Sequence, residues 1–436
     1  MEGPAPVSEV GERLAAGAQA EGFPDLLYSD AERALADALR SLLGDRAAPA
    51  TVLARTESAQ TYDDGLWQAL AADLGLAGLL IPERDGGAGA SYREAAAAAE
   101  TLGSFAAPVP YLGSAVVATA ALLAAGAPVR GGLGPPPQAA PSAQPAQPAE
   151  PAGSSPRAST EAADLLRKMA DGGVTVALAV PFATQPAPRG PAFPATVRLA
   201  GPRHGDTDSG VSRLRGTVTG VADALPAGLL LVPADGVPEC LYLVDMAADG
   251  VSKAPLASLD MTRQLCDLWF DDAPGTLVAS GQAAKRAVTA ALAAGAAILA
   301  AEQVGLAQRC LDMTVSYARE RRQFARPIGS FQALKHRMAD LWVEIALARA
   351  AARYAAACLS SGDPDAPVAV AMAKAYCSQV AVHAAQECVQ LHGGIGFTWE
   401  HPAHLYLKRA KADSLALGTP DAHRAALAGL VNLPGP

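Results

Sequence analysis

The chain has 436 residues, and its 34 lysines and arginines against 43 aspartates and glutamates give a formal net charge of −9. Half of the residues are hydrophobic and only 18% are charged, so the chain can bury a large core and does not have a disordered composition. The acidic balance argues against broad nucleic-acid binding, which needs a cationic face, but it allows an anion held by a few local arginines. The length predicts two or three domains.

The first 130 residues carry helical patterns. Apolar residues recur at helical spacing over Asp30–Arg55 and Gly65–Leu74. Ser91, followed three residues later by Glu94, is the predicted N-cap of an alanine-rich helix. We therefore predict an N-terminal helical domain over residues 1–130.

Three features bear on the cellular location. The first ten residues lack a basic stretch and an apolar stretch, so we expect no signal peptide. None of the six cysteines has CxxC spacing, which favours scattered thiols in a reducing cytosol over a zinc or dithiol site. The uncharged run Tyr111–Val129 approaches the length of a membrane span, but its Ala, Gly, Ser and Thr content favours a buried helix. We expect a cytoplasmic protein with no membrane span.

The composition changes abruptly over 131–159. Eight prolines alternate with Ala, Gln, Ser and Gly, without a periodic apolar face. Such a segment cannot offset its conformational entropy by burial, so we predict a disordered Pro/Ala-rich insertion that acts as a linker. A Pro-rich docking peptide is the alternative. The segment 160–172 is predicted to form the last helix of the N-terminal domain.

A small β domain is predicted over 173–278. Four apolar or β-branched runs between Gly, Pro and Asp turns are typical of strands. These runs are Val174–Val180, Gly228–Val232, Leu241–Val244 and Leu265–Phe270. From 279 to 436 the pattern is helical again. The predicted fold is multidomain α+β, with a helical domain, a β barrel or sandwich, and a second helical domain.

Two stretches in the last domain are rich in polar residues and glycines. Tyr317–Gln332 carries four arginines at the predicted end of a helix. One interpretation is structural, because cations complement the negative C-terminal end of a helix. The other is a phosphate site, in which guanidinium groups pair with phosphate oxygens. The spacing alone leaves both interpretations open. Gln390–Pro402 has three glycines in four positions, which lets a backbone turn sharply or approach a ligand. Glu400, His401 and His404 lack metal-ligand spacing, and we predict no metal site.

The stretches Tyr317–Leu341 (YARERRQFARPIGSFQALKHRMADL) and Gln390–Ala412 (QLHGGIGFTWEHPAHLYLKRAKA) strongly resemble the acyl-CoA dehydrogenase family. Leu66–Tyr92 resembles the same family, and the likeness covers nearly the whole chain apart from the insertion. It implies a flavoprotein with a C-terminal four-helix bundle that oxidises acyl-CoA or another acyl thioester at the α,β carbons. In the family a glutamate takes the α-proton while a hydride leaves the β carbon for flavin N5.

The resemblance also implies that FAD is shared across a subunit interface. C-terminal motifs of the family reach the pyrophosphate and adenosine part of a neighbour's FAD. It assigns such contacts here to three motifs and to Thr419. The first motif contains Arg321, Gln323 and Phe324, the second contains Phe331 and Gln332, and the third spans 390–394 with Gln390, Gly393 and Gly394. Ala325 departs from the pattern, because glycine is usual at that position.

The residues that would serve the chain's own flavin differ more from the family. Leu178–Phe182 replaces a Leu-Thr-Glu-Pro strand end, and Arg215–Val221 replaces a strand that usually supplies a flavin-stacking aromatic. The usual base position holds Leu417. An alternative base position of some members falls at about Gly295, and neither residue accepts a proton. Glu302 lies about two turns after Gly295 on the same predicted helix and is a candidate for a substitute base. The simpler interpretation is that Glu302 is a structural carboxylate.

This pattern predicts a base-deficient half-site subunit of a heteromeric acyl-CoA dehydrogenase, in a dimer or tetramer with a second subunit of the same family. Two alternatives stay open. The chain is a self-sufficient FAD-dependent acyl-CoA dehydrogenase with a non-standard base, in a homo-oligomer, or the fold serves a non-redox acyl-thioester reaction such as dehydration.

Overall fold

The computed structural model describes residues 24–58, 60, 62–126, 156–186, 193–200 and 211–433. Of the predicted insertion at 131–159, residues 131–155 lie outside the described residues. The helix after it begins at Pro156, four residues before the predicted Thr160. The C-terminal end of the segment expected to be disordered is therefore helical.

The N-terminal helical domain contains α1 (Asp30–Arg46), α2 (Pro49–Thr56), α3 (Asp64–Leu74), α4 (Tyr92–Ser104), a π-helical segment (Tyr111–Ala118) that continues into α5 (Thr119–Gly126), and α6 (Pro156–Ala170). The predicted cap of α4 is confirmed: the Ser91 hydroxyl oxygen accepts the Arg93 N–H, and the Glu94 carboxylate accepts the Ser91 N–H. The helical pattern predicted over Asp30–Arg55 forms two helices. The break precedes Pro49, which has no N–H to continue the first helix and disfavours helical geometry before it.

The described residues of the middle domain form seven strands: β1 (Val176–Leu178), β2 (Val197–Ala200), β3 (Val211–Ala222), β4 (Leu229–Asp235), β5 (Cys240–Asp245), β6 (Val251–Pro255) and β7 (Leu265–Ser280). Strand pairing runs from β4 through β2, β3, β7 and β5 back to β4, which closes a barrel. Closure pairs the edges that an open sheet would expose. β1 joins β4, and β6 joins β7.

β2, β3 and β6 were not predicted from the sequence. Arginines interrupt the apolar alternation of β3, and two glycines lie at its irregularities. Its pairing with β7 shifts register between Leu214 and Gly216 and again between Val218 and Val221. Gly216 and Gly220 have φ of +151° and +65°, a backbone region that glycine tolerates better than other residues.

The C-terminal domain consists of α7 (Gln282–Glu320), α8 (Gln332–Ser361), α9 (Ala366–His392), α10 (Ala403–Leu415) and α11 (Pro420–Leu430), with a small hairpin of β8 (Arg322–Gln323) and β9 (Arg326–Pro327) after α7. This arrangement confirms the predicted order of a helical domain, a β domain and a second helical domain.

Helix α7 is the central element of the fold. It is the one helix in the described residues long and apolar enough to cross a membrane by length and composition, and 83% of its most apolar 18-residue stretch is buried inside the protein. It crosses α4 at two glycines. A Cβ atom on Gly305 would lie 1.7 Å from the Glu100 carbonyl oxygen, and one on Gly103 would lie 2.1 Å from the Glu302 carbonyl oxygen. Only glycine permits this backbone approach, which joins the two helical domains in one core.

Candidate functional site

The first FAD motif forms the hairpin at the end of α7. The Arg321 N–H donates to the Tyr317 carbonyl at 2.8 Å, which caps the helix. Both Arg321 and Gln323 are exposed. Phe324 is 87% exposed at the hairpin tip. The hairpin therefore presents a cation, an amide and an aromatic ring outward, away from the core of this chain.

Ala325 has the backbone geometry that explains why glycine is usual at its position. Its φ is +61°, in the left-handed region, and the preceding Phe324 has a φ of +53°. Left-handed geometry brings the Cβ of an L-residue close to the following carbonyl oxygen, at about 1–2 kcal/mol. The hairpin keeps this shape despite the methyl group.

The second motif packs against the first. The Arg326 guanidinium lies 4.0 Å from the centroid of the Phe331 ring, in a cation–π contact. Phe324 meets the same ring edge-on, with centroids 6.2 Å apart. Gln332 follows as the exposed first residue of α8. The two motifs thus form one continuous exposed patch.

The third motif is the turn after α9. Gly393 has a φ of +62°, and a Cβ placed on Gly393 or Gly394 would meet no atom within 4 Å. The backbone of this turn is therefore open to an approaching ligand. Gln390 is exposed nearby, and Phe397 and Trp399 are 75% and 71% exposed. This surface combines open backbone, polar groups and aromatic rings.

Thr419 has a different local role. Its side-chain oxygen accepts the Ala422 N–H at 3.2 Å and caps α11. The same segment contains the usual base position, Leu417, which is 3% exposed and has a φ of +52°. The Leu417 N–H donates to the Phe182 carbonyl at 2.7 Å, and the His423 Nε2–H donates to the Leu417 carbonyl at 2.8 Å. These bonds hold Leu417 in a strained backbone conformation.

The structure brings both base positions together. A Cβ on Gly295 would lie 3.0 Å from Leu417 Cδ1 and 2.9 Å from Val117 Cγ2. The cavity beside Leu417 has a volume of only about 30 Å³. That volume accommodates about two water molecules, so it is too small for an acyl chain. Leu112 and Leu292 complete its apolar wall.

Asp223 also lines this cavity, and the sequence analysis did not identify it. Asp223 directly follows the last residue of β3, and it is 2% exposed. One carboxylate oxygen accepts the Tyr62 hydroxyl at 2.7 Å, and the other accepts the Gly113 N–H at 2.9 Å. Correct recognition of β3 would have shown a carboxylate at its end. The carboxylate ties the barrel to the N-terminal domain.

A larger cleft of about 440 Å³ opens where β1 and β3 end beside α10. Its walls are mostly apolar, with hydroxyl groups from Thr219 and Ser258 and a guanidinium from Arg263. The Arg263 guanidinium lies 5.6 Å from the centroid of the Phe182 ring. None of the three FAD motifs lines this cleft. Its lining comes from residues 181–183 and 219–220, from the segment 257–265, and from residues 412–416 just before Leu417.

Glu302 lies in a buried ion network between the barrel and the C-terminal domain. Its carboxylate accepts from Arg263 at 2.7 Å and from Arg409 at 2.5 Å. The two arginines also pair with Asp413 and Asp260, at 2.9 and 3.2 Å. Burial alone would raise the pKa of Glu302, but the two guanidinium charges outweigh it and lower that pKa to about 2. A carboxylate held in this way is a structural partner rather than a proton acceptor.

The chain matches two domains of one family. The acyl-CoA dehydrogenase N-terminal domain matches residues 29–129, and the C-terminal domain matches residues 285–430. The chain is 33% identical over 392 residues to the acyl-CoA dehydrogenase IpdE2 of Mycolicibacterium smegmatis, a match that covers 90% of this chain and 96% of the relative. The corresponding match to IpdE2 of Mycobacterium tuberculosis is 34% over 386 residues, covering 88% and 92%.

Two solved structures also align with most of this chain. The ChsE4-ChsE5 complex from Mycobacterium tuberculosis aligns with a TM-score of 0.75 and 26% identity, covering 95% of this chain and 100% of that chain. Butyryl-CoA dehydrogenase from Megasphaera elsdenii aligns with a TM-score of 0.77 over 94% of this chain and 100% of that chain, and its 22% identity supports the fold alone. The chain belongs to the acyl-CoA dehydrogenase family, which implies FAD as its cofactor.

Proposed function

We propose that this chain is a half-site subunit of a heteromeric acyl-CoA dehydrogenase. Its C-terminal motifs complete the FAD site of a partner subunit of the same family, and the chain provides no base for an α-proton. When bound, the flavin supplies the hydride acceptor for α,β-dehydrogenation of an acyl thioester. The observation that carries the proposal is the meeting of Leu417 and Gly295, because it fills both possible base positions with apolar atoms.

The exposed motif surface fits an anionic dinucleotide. Arg321 offers a charge-assisted contact to a pyrophosphate, and the open turn at Gly393 and Gly394 offers backbone groups. Phe324 is exposed far beyond the usual level for an aromatic residue, as expected for a surface that another molecule covers. These residues face outward from this chain, which supports a role toward a partner's cofactor.

The chain's own flavin side fits less well. The 440 Å³ cleft has the volume for part of a flavin, but its walls are mostly apolar, with Phe182 near the strand end. The adjacent 30 Å³ cavity leaves no space for the acyl group beside Leu417. The aligned solved structure is a ChsE4-ChsE5 complex, which supports a heteromeric assembly here.

The test is the visible flavin absorbance of the protein purified alone and co-purified with a family member that has glutamate at the base position. We expect the isolated protein to be folded and colourless, and the complex to retain FAD. Stoichiometric FAD in the isolated protein, with acyl-CoA dehydrogenase activity, would refute the half-site proposal.

Asp223 favours one alternative, a self-sufficient enzyme with a non-standard base. It is the carboxylate that lines the cavity beside Leu417. Both of its oxygens already accept hydrogen bonds, which opposes that role. The alternative would be supported if the isolated protein is active and if Asp223→Asn abolishes that activity while the variant still retains FAD. Turnover of a hydroxyacyl thioester by flavin-free protein would instead support a dehydration function.

A further inference from the structure

A stack of three rings joins the first and third FAD motifs. The His392 ring lies between Tyr317 and His401, with centroid distances of 4.5 and 4.4 Å and interplanar angles of 29° and 45°. Tyr317 belongs to the last turn of α7, His392 is the last residue of α9, and His401 lies just before α10. His392 is only 4% exposed, whereas Tyr317 and His401 are half-buried, so the middle ring of the stack is enclosed by the protein.

The path from this stack to each motif is short. The Tyr317 carbonyl accepts the Arg321 N–H, so the tyrosine that holds the His392 ring also fixes the start of the hairpin. On the other side, His392 is bonded directly to Gly393, whose N–H donates to the Gln390 carbonyl. One hydrogen bond and one ring contact therefore connect the backbone of Arg321 with that of the open glycine turn.

A hydrogen bond sets the orientation of the His392 ring. Its Nδ1 lies 2.6 Å from the Cys388 carbonyl oxygen, one turn earlier in α9. A carbonyl only accepts, so Nδ1 carries the proton in this contact. The ring is thus fixed both by its own helix and by Tyr317 and His401.

We propose that His392 is a positioning residue that holds the Arg321 guanidinium and the Gly393–Gly394 turn at the separation needed to bind one pyrophosphate anion. This proposal rests on the proposed function, because it takes the cofactor's diphosphate as the anion. Charge-assisted hydrogen bonds depend strongly on geometry, so a change in this separation weakens the contribution of Arg321 without removing its charge. The role belongs to His392 through the ring stack and not through contact with the anion.

The test is a double-mutant cycle with ADP as the probe, which carries the diphosphate and adenosine part of FAD. The Kd of ADP is measured by calorimetry on the purified full chain and on the variants His392→Ala, Arg321→Gln and the double variant. We expect His392→Ala to raise the Kd about tenfold when Arg321 is present and less than about twofold in the Arg321→Gln background. His392→Phe, which keeps a ring in the stack, is expected to restore most of the affinity.

Tyr317→Leu provides an independent variant if His392→Ala does not fold, because it removes the same ring contact from the half-buried side. It should show the same dependence on Arg321. Equal losses in both backgrounds, failure of His392→Phe to restore binding, or absence of ADP binding to the wild-type chain would overturn the proposal. Flavin retention by the heteromer is measured separately, so a failed ADP cycle in a flavin-retaining complex refutes only the role of His392.

Discussion

Leu417 and Gly295 fill one small space from opposite sides. The Leu417 Cδ1 atom lies 3.0 Å from the point where a Cβ on Gly295 would stand, which is closer than ordinary van der Waals contact. The leucine side chain is 3% exposed and is held by backbone bonds to Phe182 and His423. The two positions to which the resemblance to the family assigns a base are therefore in direct contact in this chain.

This contact predicts energetic coupling. Leu417→Ala should lower the free energy of unfolding by about 2–5 kcal/mol through the cavity it leaves. Gly295→Ala should be tolerated better in that background than in the wild type, by about 0.5–3 kcal/mol, because the new methyl group enters the vacated space. Urea unfolding of the four proteins gives the coupling. Gly44→Ala is the control, since its Cβ on α1 would meet no atom within 4 Å. Additive effects of the two changes would contradict the contact.

Among the residues of the three C-terminal motifs, Arg321 is expected to contribute most to FAD binding. Arg321→Gln should weaken retention in the assembled complex by roughly 1.5–3 kcal/mol, the value of a charge-assisted hydrogen bond, or about 10- to 150-fold in Kd. Arg319→Gln is the matched control, because Arg319 is exposed on the last turn of the same helix and lies outside the motif. Flavin content after gel filtration measures the effect. A similar loss in both variants would show a general charge effect.

Glu302 should stabilise the fold without acting as a base. Glu302→Gln is expected to cost about 3–5 kcal/mol, because Arg263 and Arg409 lose a buried carboxylate partner. Glu320→Gln, at the exposed end of the same helix, should stay within about 0.5 kcal/mol of wild type. Retained stability with lost activity in Glu302→Gln would instead indicate a catalytic role.

The same carboxylate predicts a pH dependence. The pKa of Glu302 is about 2 in the folded protein against an ordinary value of 4.5. Ionised Glu302 therefore stabilises the fold fully above about pH 4.5, and this contribution is lost as the pH falls toward 2. The difference in unfolding free energy between wild type and Glu302→Gln should shrink over that interval. A constant difference across the interval would show that the carboxylate does not titrate there.

The Pro/Ala-rich insertion should be dispensable for folding. The structure starts α6 at Pro156, and Leu165, Leu166 and Met169 of this helix are buried. Replacement of residues 133–153 by a short Gly/Ser linker should therefore keep α6 intact, change the unfolding free energy by less than about 1 kcal/mol and leave assembly unchanged. Thermal unfolding and gel filtration provide the measurements. Loss of folded protein would assign the segment a structural role.

Local sequence was informative where local chemistry decides the structure. The Ser91 and Glu94 cap and the order of helical and β regions were readable from residue type and spacing. The FAD contacts were assigned only by the resemblance to the family, because the spacing of the arginines alone left two interpretations open. β3 was missed because its arginines and glycines obscure the alternation, and its strand geometry depends on pairing with β7. Asp223 was missed with it, since its significance depends on where that strand ends.

The sequence by itself determined the family, the domain order and the absence of a proton acceptor at residues 417 and 295. Only the tertiary structure decided that these two positions, 122 residues apart, lie in contact beside a small cavity. It also decided that Glu302 is neutralised by arginines from two other segments. The reason is physical: residue type and helical periodicity are encoded locally, whereas burial, ion pairing and cavity volume depend on side chains that only folding brings together.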